Sequence, residues 1–143
     1  METLRIDPKT ADLEAMITRG IHLHGHEGPF LIAGIRMGLL ALELLGSPGY
    51  FGLSAQSYTG NTTPLSCLTD GIQIGSGCTT GKGNLTVIDG ARPRARFTAE
   101  DGTSVTIELS PAALEAFRQG ELPLESKHAR TMPAQELFVW EQG

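Results

Sequence analysis

Two short segments of this chain concentrate side chains that can bind metal ions. The first segment carries the alternating histidines His22, His24 and His26, and the second carries both cysteines, Cys67 and Cys78. Imidazole and thiolate are the donors that zinc and its neighbouring transition metals prefer. Both segments are also rich in glycine, so the pattern predicts that they meet as two halves of one site.

The second segment ends in a glycine-rich stretch, residues 77–84, around Cys78. It is not a phosphate-binding P-loop, because Ser76 stands where the first glycine is required and Gly83 follows Lys82. Two interpretations of Cys78 stay open. Backbone N–H groups and Lys82 would form a nest that lowers the pKa of the thiol. Alternatively, Cys78 is a small buried apolar side chain and the glycines only form turns.

Further polar residues are candidates for catalysis or for contacts with a substrate. Asp70 follows Cys67 by one helical turn, so the two side chains share a helix face. Asp70 and Lys82 are therefore candidates for catalysis beside Cys78. The residues expected to contact a substrate are Tyr58, Asn61, Cys67 and Arg36.

Bulk properties restrict the class of protein. The 143 residues, 40% of them hydrophobic, suit one domain over residues 1–143 with a sizeable core. A net charge of −5 argues against a general affinity for nucleic acids or anionic membranes. Two cysteines are too few for a disulfide scaffold, and the polar N-terminal segment does not read as a signal peptide, so we expect a cytoplasmic protein. The longest apolar stretch, residues 29–46, is short for a membrane span and predicts a buried helix.

The elements that position the candidate residues follow from capping and periodicity. Asp7 and Pro8 predict the start of a first helix, and Gly20 predicts its end. Residues 21–28 would then be a loop or an extended stretch, in which alternation places the three histidines on one side. A second helix is expected from Pro29 to about Leu45. Its two interior glycines predict close packing, either within the core or against a second subunit.

The later part of the chain favours strands. An Asp101-Gly102 turn predicts a β-hairpin. We expect strands at 54–58, 85–88, 94–99 and 105–109, and helices at 64–75, 111–119 and 134–140. This order predicts an α+β fold with a mostly antiparallel sheet covered on one face by helices.

Four motifs in series carry a resemblance to a known family. They are His24-Gly25-His26-Glu27-Gly28-Pro29, Gly34-Ile35-Arg36, Cys67-Leu68-Thr69-Asp70-Gly71-Ile72-Gln73 and Gly77-Cys78-Thr79-Thr80-Gly81-Lys82-Gly83-Asn84. From about Ala11 to Phe97 the chain resembles the FmdE family, which takes its name from formylmethanofuran dehydrogenase. The resemblance implies an α+β fold like that of the catalytic domain of glyceraldehyde-3-phosphate dehydrogenase. It also implies a homodimer, a metal near the His and Cys segments, and a link to molybdenum or tungsten formylmethanofuran dehydrogenase.

The sequence departs from the family pattern at the first metal-binding segment. Gly28 stands where the family has a cysteine, and Phe30 where it has a glycine. His22 or Glu27 would have to replace the missing ligand. There is no cysteine after Cys78, so the C-terminal zinc ribbon that many relatives carry is absent from this sequence.

Three hypotheses follow. The first is a homodimer with a divalent metal, zinc or alternatively nickel or iron, held by His24, His26 and Cys78, with His22 in place of the missing cysteine. The second is a metal-free enzyme or small-molecule-binding protein in which Cys78 is a nucleophile and a histidine is its base. The third is an accessory subunit of an oxidoreductase complex.

Overall fold

Six helices and five strands make up the computed structural model, which describes residues 2–143. The helices are α1 Leu13–His24, α2 Pro29–Leu45, α3 Cys67–Ser76, α4 Pro111–Gln119, α5 Leu122–Thr131 and α6 Ala134–Leu137. The strands are β1 Leu53–Ser57, β2 Leu85–Val87, β3 Arg94–Ala99, β4 Ser104–Leu109 and β5 Phe138–Gln142. Within residues 2–143, none of the helices has the length and apolar character needed to cross a membrane.

The five strands form one sheet in the order β2-β1-β3-β4-β5. Only the β1–β2 pair is parallel, and the other three pairs are antiparallel. Phe97, Val105 and Ile107 are fully buried on the face that contributes to the core. Arg94 and Glu108 pair across the opposite, polar face. The predicted α+β class with a mostly antiparallel sheet is confirmed.

Glycines allow α2 and α3 to pack with their backbones in contact. A Cβ atom added at Gly34 would lie 2.1 Å from the carbonyl oxygen of Leu68, and one at Gly71 would lie 2.1 Å from that of Leu31. Such distances leave room only for hydrogen on the Cα atoms. The predicted close packing of α2 therefore occurs inside the chain, against α3.

The first helix differs from the prediction at both ends. Asp12, not Asp7, caps α1 by accepting a hydrogen bond from the Ala15 N–H at 3.1 Å. Gly20 does not end the helix but lies inside it. The absence of a side chain at Gly20 makes room for Ile35 of α2. The helix continues to His24 and ends at Gly25, whose φ of 101° is left-handed.

The chain after residue 60 also differs from the prediction in two places. Residues 63–66 form turns, and α3 begins at Cys67 instead of at Pro64. In the C-terminal part, α5 was not predicted, and the predicted helix at 134–140 is only the short α6 followed by β5. Phe138 and Trp140 extend the sheet opposite Leu109 and Ile107, a pairing that outweighs local helix preference.

Candidate functional site

The last residue of α1 and the first turn of α3 meet at one partly buried contact. His24 Nδ1 lies 2.6 Å from Asp70 Oδ2, and the His24 side chain is only 10% exposed. A carboxylate can only accept a hydrogen bond, so Nδ1 carries the proton. His24 Nε2 is buried and, among residues 2–143, has no hydrogen-bond partner. A buried polar atom without a partner is costly, so this position fits an ordered water, an ion or another ligand.

A second imidazole stands beside the first. The ring centroids of His24 and His26 are 4.7 Å apart, with an interplanar angle of 46°. His26 is exposed, and its Nδ1 donates to the carbonyl oxygen of Glu27 at 3.0 Å. Each ring is therefore oriented through Nδ1, with Nε2 left to accept. Metal-binding histidines have this arrangement, with a carboxylate or a backbone carbonyl behind the ligating ring.

A chain of hydrogen bonds links this pair to the glycine-rich loop of the second segment. Gln73 Nε2 donates to Asp70 Oδ1 at 3.4 Å, and Gln73 Oε1 accepts from the Thr80 N–H at 3.2 Å. The two segments that the sequence singled out therefore meet through Asp70 and Gln73. The motif that contains Gln73 did not by itself indicate a role for this residue, although the three-residue spacing from Asp70 places Gln73 on the same helix face.

Cys78 is part of the core. It is 0% exposed, and its sulfur donates to the Leu53 carbonyl oxygen at 3.7 Å. Burial raises the pKa of the Cys78 thiol, and the opposing effects of Ser76 and Lys82 are smaller. The hypothesis that Lys82 and the loop lower this pKa is therefore wrong, and the alternative of a small buried side chain describes Cys78.

The loop around Cys78 does not present a nest of free N–H groups either. The N–H of Cys78 donates to Ser76 Oγ, that of Thr79 to Asn84 Oδ1, and that of Lys82 to Thr79 Oγ1. Donors that already have acceptors inside the loop are not available to an anion.

Burial makes a testable prediction for Cys78. At neutral pH the thiol is protonated, and we expect alkylation by iodoacetamide to be at least about tenfold slower in folded than in unfolded protein. The rate should rise only as the pH exceeds the ordinary thiol range, because the pKa is raised. Mass spectrometry of the modified peptide checks this. Rapid labelling of Cys78 at pH 6 in folded protein would contradict it.

Two of the other metal-ligand and substrate candidates lie on the helices that carry His24 and Asp70. Cys67 is buried at the start of α3, where burial and then the negative charge of Asp70 raise its pKa. His22 is exposed and lies two residues before His24 on α1, so the two side chains leave the helix in different directions. The predicted alignment of all three histidines is therefore wrong, because residues 22–24 are helical.

The remaining candidates make contacts elsewhere. Arg36 donates through Nη1 to the carbonyl oxygens of Ala129 and Met132, at the end of α5. Lys82 Nζ donates to the Gly77 carbonyl oxygen at 2.6 Å and lies 5.3 Å from the centroid of the Phe51 ring.

Tyr58 and Asn61 lie in the segment that follows β1. The Tyr58 hydroxyl donates to Gln56, whose side chain is exposed, and Asn61 is exposed. No hydrogen bond joins either side chain to His24 or Asp70 in the described chain.

Residues 25–28, which we call the site loop, connect α1 to α2. They are held by an ion-pair cluster that the sequence did not predict. Arg130 of α5 donates to both carboxylate oxygens of Glu27, at 3.0 and 2.8 Å, and to Glu14 of α1 at 3.0 Å. These contacts lower the pKa of Glu27 and raise that of Arg130. The pairs join residues more than 100 positions apart, so no local pattern could have indicated them.

The fit of these residues to a metal is partial. Within residues 2–143, no three His, Cys, Asp or Glu side chains are grouped so that they could hold a metal ion. The two oriented imidazoles and the unpartnered Nε2 of His24 fit a metal or a hydrogen-bonding ligand. Cys78 does not fit, since its sulfur faces the Leu53 carbonyl oxygen.

Gly28 marks the position where a third donor is missing. Its backbone is extended, with φ −164° and ψ 163°, a conformation that any residue adopts. A Cβ atom there would lie 3.5 Å from His26 Cε1, an ordinary van der Waals contact. A side chain at position 28 would therefore start beside the histidine pair.

Comparisons with known proteins agree with this fold. The family model described as "FmdE, Molybdenum formylmethanofuran dehydrogenase operon" matches residues 23–140. A "tungsten formylmethanofuran dehydrogenase subunit e (FmdE)-like protein" from Syntrophus aciditrophicus has a crystal structure that matches with a TM-score of 0.69. The identity is 21%, and the match covers 99% of this chain and 77% of that chain. At this identity the likeness shows the fold.

A curated relative matches over a shorter range. A "Probable S-adenosyl-L-methionine-binding protein" from Archaeoglobus fulgidus is 33% identical over 78 residues. These residues are 54% of this chain but 21% of that protein. The chain thus corresponds to a minor part of that relative's length.

Proposed function

The chain belongs to the FmdE family, and on that premise we propose that it binds a divalent metal ion through the Nε2 atoms of His24 and His26. Zinc is the expected metal, with nickel or iron as alternatives, since imidazole suits all three. The observation that carries the proposal is the buried, unpartnered Nε2 of His24, held in place by Asp70.

The two histidines have complementary parts in this proposal. Asp70 fixes the tautomer of His24 and increases the basicity of Nε2. His26, exposed at the edge, leaves the metal accessible to water or a small substrate. A bound zinc ion with open positions supplies Lewis-acid chemistry and lowers the pKa of bound water. Asp70 and Gln73 would fix the position of the site relative to the glycine-rich loop.

The competing hypothesis of a Cys78 nucleophile has less support. A protonated thiol inside the core is a poor nucleophile, because the thiolate is the reactive form. His24 also lacks any hydrogen bond to Cys78 among the bonds of the described chain.

Family membership extends the proposal to assembly. We propose that the chain forms a homodimer and works beside a molybdenum or tungsten oxidoreductase, in keeping with the operon after which the family is described. Light scattering on the purified chain tests the dimer. A monomeric mass at micromolar concentration would contradict it.

The experiment for the metal proposal is equilibrium dialysis of tag-free protein against Zn²⁺. We expect close to one ion per chain. Asp70→Asn should weaken the affinity by about tenfold, because the partner behind a ligating histidine has effects of that size. Asp89→Asn is the matched control, since Asp89 makes no side-chain hydrogen bond to the site residues in the described chain. Absence of Zn²⁺ uptake by the unmodified protein, or an equal loss in both variants, would contradict the proposal.

A further inference from the structure

We propose that Arg130 is a positioning residue for the His24–His26 site, holding the site loop in place through Glu27. This inference rests on the proposed function. It assigns a role to the helix α5, which lies outside the two segments that carry the histidines and the cysteines. It comes from the contacts that tie α5 to the loop between α1 and α2.

The pair between Arg130 and Glu27 has the geometry of a specific contact. Two guanidinium nitrogens, Nη1 and Nη2, reach the two carboxylate oxygens of Glu27 at 3.0 and 2.8 Å. Bidentate pairing of this kind fixes direction as well as distance. Nε of Arg130 at the same time bonds Glu14 near the start of α1, so one guanidinium spans the site loop and the helix that precedes it.

The location of Glu27 connects this pair to the site. Glu27 follows His26 directly, and its carbonyl oxygen accepts the bond from His26 Nδ1. Its side chain is fixed by Arg130, so the same residue orients the His26 ring with its backbone and anchors the loop with its carboxylate. Displacement of Glu27 would therefore rotate or release His26 and separate it from His24.

The end of α5 that carries Arg130 is fixed to α2 and to the core. Arg36 of α2 donates to the carbonyl oxygens of Ala129 and Met132, which lie on either side of Arg130 in the chain. Ala129 is fully buried, so this end of α5 is part of the core. Arg36, expected from the sequence to contact a substrate, would act here by fixing the position from which Arg130 reaches the loop.

The test compares Arg130→Gln with Arg92→Gln. Arg92 also makes a bidentate pair, with Glu108 on β4, and within residues 2–143 its side chain makes no hydrogen bond to the site loop, so it controls for the loss of a surface ion pair. In Arg130→Gln we expect the Zn²⁺ affinity to fall by about tenfold. We expect the backbone order parameters of residues 25–28 to fall from about 0.85 to below about 0.6. Arg92→Gln should leave both quantities unchanged, and Arg130→Lys should restore part of the loss.

A purely structural role predicts a different pattern, in which both arginine variants lower the melting temperature equally and leave the site loop ordered. Unchanged order parameters in Arg130→Gln, or a mobile loop with undiminished Zn²⁺ affinity, would overturn the inference. If the unmodified protein binds no Zn²⁺, the metal proposal fails on that result. The order parameters then decide the role of Arg130 alone.

Discussion

Replacing Gly71 by alanine should lower the melting temperature by at least about 12 °C, corresponding to about 4 kcal/mol of stability for a domain of this size. The added Cβ would lie 2.1 Å from the Leu31 carbonyl oxygen, 2.7 Å from the Ile35 nitrogen and 2.8 Å from Gly34 Cα. All three are backbone atoms, so no side chain can rotate away, and the two helices must separate. Overpacking that side chains can absorb typically costs about 1–3 kcal/mol, and here the cost is larger.

Gly81→Ala is the matched control for this prediction. Nothing lies within 4 Å of a Cβ at Gly81, which is exposed and does not have a positive φ. We expect a change within about 0.5 kcal/mol. Thermal unfolding followed by circular dichroism measures both variants. A Gly71→Ala protein whose melting temperature lies within about 3 °C of that of the unmodified chain, under 1 kcal/mol at this size, would show that α2 and α3 are farther apart than described.

Restoring a thiol at position 28 should strengthen zinc binding by about a hundredfold. A structural zinc site with four ligands contributes about 10–16 kcal/mol of apparent binding free energy, so one thiolate contributes on the order of 3 kcal/mol. The extended backbone of Gly28 accepts a side chain, and its Cβ would contact the His26 ring at 3.5 Å. Gly28→Cys would then supply a third donor beside His24 and His26.

The comparison for Gly28→Cys is Gly28→Ser, which places a side chain of similar size with a much poorer zinc donor at the same position. We expect Gly28→Ser to bind Zn²⁺ as the unmodified protein does. Competition with a chromophoric chelator measures both affinities. Equal affinities in the cysteine and serine variants would mean that position 28 does not face the metal.

Local patterns predicted the elements whose stability is local. The Asp101-Gly102 turn correctly predicted the β3–β4 hairpin, because Gly102 adopts the positive φ of 90° that the turn requires. The glycines of α2 correctly predicted close packing, although the sequence left open whether α2 packs within the core or against a second subunit.

Contacts between residues that are distant in the sequence determine the features that local patterns predicted wrongly. The end of α1 depends on Gly20 packing against Ile35, so a glycine that locally reads as a stop is an interior position. The pKa of the Cys78 thiol depends on its burial against Leu53. Burial raises this pKa, whereas one interpretation of the sequence expected it to be lowered.

In the candidate site, too, local patterns predicted some features and contacts between distant residues determined the others. His24 and His26 stood out by residue type and spacing, and Asp70 by its place on α3. That Asp70, and not Cys78, meets His24 is set by the approach of α1 to α3, which no local pattern encodes.

The central claim, that His24 binds a metal through Nε2 while Asp70 holds Nδ1, is tested most directly by long-range ¹H–¹⁵N spectra of the imidazole rings during a Zn²⁺ titration. We predict that the free protein shows His24 protonated at Nδ1, and that Zn²⁺ moves the His24 Nε2 resonance until one ion per chain is bound. A His24 Nε2 resonance that stays in place at saturating Zn²⁺, or a proton on Nε2 instead of Nδ1 in the free protein, would contradict the account.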